Sequence, residues 1–141
     1  ETKIDHLVCK EVSIDKSGSG DIMVNGSTEK LNVESSGSGN LVWKKALIES
    51  VIVDMSGSGD LLFSGEIGSM HIENNGSGNI KGFDAKVDEL LAEIGGSGDV
   101  QLTVNKTISA DLNGSGDLVY RGNAVVKSSN TDGSGDLIHK D

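Results

Sequence analysis

An all-β parallel solenoid, a β-helix, is the fold class this sequence predicts, and three observations predict it. The tetrapeptide Gly-Ser-Gly-Asp/Asn returns seven times, beginning at Gly18, Gly37, Gly57, Gly76, Gly96, Gly114 and Gly133. Around each copy the apolar residues recur at every second position, the period of a strand. Proline is absent, aromatic residues make up 3% of the chain, and its 20 glycines suit corners rather than helices. Successive tetrapeptides are 19, 20, 19, 20, 18 and 19 residues apart. One circuit of backbone fills each interval, and equivalent residues stack about 4.8 Å apart. The 141 residues then form a single β-helix domain, 1–141, of about seven coils of 18–20 residues. Its parts are a partial N-terminal coil (1–17), repeats starting at 18, 37, 57, 76, 96 and 114, and a partial C-terminal coil (133–141).

Each coil opens at its corner. Glycine is expected there because the chain bends sharply, with positive φ. The following Asp or Asn can bond to the turn backbone, and the seven serines read as a hydroxyl ladder. A first strand follows. Its leading residue is always aliphatic (Ile22, Leu41, Leu61, Ile80, Val100, Leu118, Leu137), and two residues on stand Val24, Trp43, Phe63, Gly82, Leu102, Tyr120 and His139. A variable stretch such as 26–29 or 46–49 closes the circuit. The second strand carries an inward residue six places before the next corner (Val12, Leu31, Val51, Met70, Leu90, Ile108, Lys127) and another four places before it (Ile14, Val33, Val53, Ile72, Ala92, Ala110, Ser129). Only the last coil departs from the apolar pattern.

One segment competes with this reading. Residues 84–95 place Val87, Leu90, Leu91 and Ile94 at helical spacing, with Asp84 as a cap and Gly95 as a stop. The unbroken period from Gly76 to Gly96 favours strand, with Leu90, Ala92 and Ile94 inward.

Charge and composition narrow the function classes. With 22 acidic and 12 basic residues the net charge is −10, which disfavours nucleic acid and anionic membrane surfaces. No apolar run is long enough to span a membrane as a helix, so no membrane insertion by this chain is expected. The lone Cys9 forms no internal disulfide. The chain begins at Glu1, without an initiator Met and partway through a repeat, as a mature or trimmed product would.

Two outward columns stand out. Three residues before each corner come Asp15, Glu34, Asp54, Glu73, Glu93, Asp111 and Asn130. Stacked carboxylates at this spacing repel by about 0.9 kcal/mol per neighbouring pair in bulk water. Such a ladder is either a solvated face that resists edge pairing or a cation-binding edge, with Ca²⁺ as the cation. Between the inward residues of the first strand lie Met23, Val42, Leu62, Lys81, Gln101, Val119 and Ile138. Five of these seven are apolar on a face expected to be wet, so Met23, Val42, Leu62, Val119 and Ile138 form a candidate interaction face for self-association, a missing segment or a ligand.

Catalysis finds little support. His6, His71 and His139 fall in different columns and far-apart coils, which argues against zinc. The serines repeat too often to be a nucleophile. No catalytic residue and no cofactor is assigned.

The Gly-Ser-Gly-[Asp/Asn]-aliphatic unit, repeated seven times with an apolar-x-apolar strand before each, resembles the head GIN domain family of autotransporter adhesins. The resemblance covers essentially the whole chain. It implies a right-handed parallel β-helix on exported bacterial proteins of the cell surface or periplasm. The function it implies is non-enzymatic, an adhesin or structural spacer acting through a repetitive face, with a surface glycan or protein as ligand. A carbohydrate-active β-helix enzyme and a self-assembling structural solenoid are the alternatives.

Overall fold

The computed structural model describes the backbone of residues 2–140, and the side chains of those residues other than Thr2, Asp5, His6 and Leu7. Among the described residues there are nine strands and no helix: β1 (Thr2–Lys16), β2 (Ile22–Ser35), β3 (Leu41–Met55), β4 (Leu61–Asn74), β5 (Ile80–Ile94), β6 (Val100–Leu112), β7 (Leu118–Arg121), β8 (Val125–Asn130) and β9 (Leu137–His139). Each pairs in parallel with its equivalent one coil on, in the order β1-β2-β3-β4-β5-β6-β7-β9, and β8 pairs with the second half of β6, whose first half pairs with β7. The chain is a β-solenoid of stacked coils.

The core is the set of inward rows. Leu41, Leu61, Ile80, Val100 and Leu118 are fully buried in one row, and Leu31, Val51, Met70, Leu90 and Ile108 in another. Row volumes compensate between coils: Trp43 and Phe63 precede Gly82, and Leu102 fills the space where a Cβ on Gly82 would have pointed. Trp43 is completely enclosed and donates its indole N–H to the Gly26 carbonyl at 3.1 Å. That bond satisfies the one polar atom this large side chain brings inside.

Every strand from β2 to β6 runs through a bend at which the ladder skips a few residues and then resumes. The register slips once between Asn25 and Ser27, between Trp43 and Ala46, and between Leu62 and Gly65. Gly26 and Gly65 take positive φ at these bends, as does Lys45. Segment 80–94 is strand throughout, with Ala85, Val87, Leu90, Ala92 and Ile94 buried and Leu91 outside. Cross-coil register outweighs its helical spacing, because a helix there would leave the edges of β4 and β6 unpaired.

Four expectations are corrected at the corners and the last coil. No corner glycine has positive φ; among the described glycines only Gly26, Gly65 and Gly122 do. Glycine stands at the corners because the coils touch there: a Cβ on Gly37, Gly57, Gly76, Gly96, Gly114 or Gly133 would overlap the carbonyl oxygen of the equivalent glycine one coil earlier. The same holds for the second glycine, from Gly39 to Gly135. The corner acids bond not within their own turn but to the next coil. The Asp21 side chain accepts from Asn40 N–H at 2.8 Å, Asn40 from Asp60 N–H at 2.9 Å, and Asp60 from Asn79 N–H at 2.9 Å, and the chain continues through Asp99 and Asp117 to Asp136. An amide oxygen serves as well as a carboxylate, which explains the interchange of Asp and Asn. The corner serines are all exposed, with no hydroxyl-to-hydroxyl bond among them in the described residues, so their ladder is one of position only. In the last coil Val126, not Lys127, faces Ile108 across the ladder, and Lys127 is displaced outward.

Candidate functional site

The parallel register carries the acidic column to where the repeat count puts it. Asp15 pairs with Glu34, Glu34 with Asp54, Asp54 with Glu73, Glu73 with Glu93, and Glu93 with Asp111. All six face outward; Glu73 and Asp111 are half-buried and the others exposed. Asp15, Glu34, Asp54 and Glu73 line one side of a shallow groove of about 370 Å³. The ion pairs among the described residues are His71 with Glu73 and Lys106 with Asp88, so no lysine or arginine neutralises this column.

His71 belongs to the same face. Alternation along β4 buries Met70 and Ile72 and turns His71 and Glu73 outward together. In register, His71 lies between Ile52 of β3 and Leu91 of β5, both exposed. Its Nε2 is 3.9 Å from Glu73 Oε1. One ligand atom each of His71, Glu73 and Glu93 lies within 4.8 Å of the other two. Comparing the histidines only with one another missed this group; the His-x-Glu spacing within a strand was the signal that could have found it. His6 lies outside the described side chains. His139 stacks on Tyr120, with centroids 4.7 Å apart, and its Nε2 contacts the Gly122 carbonyl.

The apolar column is in register but not continuous. Met23, Val42 and Leu62 form one stretch and Val119 and Ile138 another, with Lys81 and Gln101 between them. Leu62 and Ile138 are each 37% exposed, and the other three are half-buried.

A broader concavity lies elsewhere, on the circuit-closing side, and the sequence reading did not find it. A groove of about 910 Å³ runs across β1 to β6, past Val8, Ser27, Leu47, Glu66 and Lys86. Val8 is 79% exposed and Leu47 61%. This stretch varies most from coil to coil, and where its side chains fall depends on the register slips at the bends.

Comparison with known proteins places this architecture. Residues 12–124 match the family described as "Putative auto-transporter adhesin, head GIN domain". The chain belongs to that family. It is also similar to a crystal structure of a "putative adhesin" from Bacteroides fragilis NCTC 9343, with a TM-score of 0.82 and 18% identity over 99% of this chain and 92% of that one. A second similar crystal structure is that of a "putative lipid binding protein" from Parabacteroides distasonis ATCC 8503, with a TM-score of 0.80 and 23% identity. This chain is covered over 99% of its length and spans 58% of that protein. At these identities the two likenesses show the fold. No curated protein matches the chain.

Proposed function

We propose that this chain is a non-enzymatic, adhesin-type binding module of an exported, surface-attached or periplasmic bacterial protein, which offers a ligand a rigid face of stacked coils. The observation that carries this reading is the groove across β1 to β6, where six successive coils hold their outward side chains in a stacked register. Family membership supports it. A polysaccharide-cleaving enzyme would need an acid and a base converging on one bond. Here the outward carboxylates recur rung after rung along one column, beside a shallow groove.

Lipid is the second ligand class. The description of the Parabacteroides distasonis protein suggests it, and the exposed Val8 and Leu47 in the groove favour it. A screen of the purified chain against immobilised glycans, extracellular-matrix proteins and phospholipid vesicles, with calcium and with chelator, tests both. Saturable binding weakened at least tenfold by Leu47→Glu is the expected result. Binding unaffected by that change would move the site off the groove. Silence in every arm would leave a structural spacer.

A further inference from the structure

We propose that His71, Glu73 and Glu93 form a site for one divalent transition-metal cation of the zinc class. The inference goes beyond the adhesin reading and does not rest on it.

The backbone supplies the geometry. His71 and Glu73 are two residues apart on one strand and so share a face, while Glu93 is the cross-coil partner of Glu73. Two rungs of a parallel ladder thus bring three donor side chains together without any turn or loop. Their ligand atoms lie within 4.8 Å of one another. On a tetrahedral zinc ion with bonds of about 2.0 Å, ligand atoms stand about 3.3 Å apart. Rotation of the two glutamate side chains, neither of which is held by a lysine or arginine, closes the difference.

A second observation concerns the imidazole itself. The side chain is 38% exposed, yet its Nε2 is enclosed and lacks a hydrogen-bond partner. Nε2 stands 3.9 Å from Glu73 Oε1, too far for a hydrogen bond and about 0.6 Å beyond the separation of two ligand atoms on one tetrahedral ion. On the next rung Asp111, cross-coil partner of Glu93, has a carboxylate oxygen that is likewise enclosed and unbonded. Two polar atoms without partners, on rungs that flank Glu93, mark a place where ligation is incomplete.

The donor set selects the cation. One imidazole nitrogen with two carboxylates suits zinc, cobalt, nickel or copper, and three protein ligands leave a coordination position for water or a ligand atom. Calcium prefers oxygen donors throughout, and the rest of the column offers it only those. The column should therefore collect calcium diffusely while His71 distinguishes the transition metals. The uncompensated acids on either side raise the local cation concentration.

The test uses the full chain with Cys9→Ser, which removes the exposed thiol as a competing ligand. Calorimetric titration with zinc chloride should show one saturable site that weakens at least tenfold in His71→Ala and in Glu93→Gln. Glu34→Gln, elsewhere on the same column, should leave it unchanged. Calcium chloride titrated into His71→Ala should behave as it does with the parent. Cobalt bound to the parent should give visible d–d absorption that His71→Ala loses, a signal that a structural effect alone would not produce. The thermal unfolding of each variant shows that it is folded, as expected for changes on the outer face. Zinc binding that survives His71→Ala, that falls equally with every acid removed, or that is absent from the folded parent would overturn the proposal.

Discussion

A corner glycine in this chain is a statement about its neighbour rather than about itself. Gly57 needs no backbone conformation denied to alanine, but its missing Cβ makes room for the carbonyl oxygen of Gly37. Gly18 carries the same motif, yet a Cβ there would meet nothing within 4 Å. The two positions therefore separate stacking from turn geometry. Gly57→Ala is expected to cost about 1–3 kcal/mol, the usual penalty of forcing atoms into occupied space. Gly18→Ala should be neutral or gain about 0.4–1 kcal/mol by restricting the unfolded chain. Urea unfolding of the two variants decides it, and equal losses would return the corner to an argument about φ. The repeated glycine was legible in the sequence, but its reason was not, because the atom it accommodates lies 20 residues earlier in the chain.

At the level of the strand, β5 shows how a neighbour overrules a local pattern. Leu90 and Leu91 both fit an amphipathic helix, but in the structure the first is buried and the second is 40% exposed, as alternation demands. The pairing partners on both sides fix that choice, and a strand lost from the middle of the stack would take two ladders with it. Coils should accordingly unfold together. Leu61→Asp places a charge in a fully enclosed row and is expected to destabilise by about 4 kcal/mol or more. Glu34→Gln on the outer face should change stability by less than about 0.5 kcal/mol. Hydrogen exchange would show the Leu61→Asp defect spreading into β3 and β5. Exchange confined to β4 would contradict a cooperative stack.

Over the whole molecule, a net charge of −10 is arranged rather than scattered, with six acids in one column that no lysine or arginine pairs. Rungs about 4.8 Å apart are closer than the screening length of about 8 Å at physiological salt, whereas second neighbours lie beyond it. Raising sodium chloride from 10 to 150 mM, a change in screening length from about 30 to about 8 Å, should therefore raise the melting temperature by a few degrees. Asp54→Asn, which breaks the column near its middle, should reduce that salt response. A melting temperature indifferent to salt would mean that the exposed carboxylates already splay apart enough to avoid one another.

The coil period, the inward rows and the register of the acidic column were all legible in the amino-acid order, since each follows from counting along a chain whose side chains alternate and whose corners recur. Tertiary structure alone decided that Glu93 comes to His71, that the groove opens beside Leu47, that corner acids bond to the next coil, and that Val126 displaces Lys127. Those outcomes depend on what stands across from a residue one coil away and on where each bend slips the register. A one-dimensional repeat states the first only approximately and the second not at all.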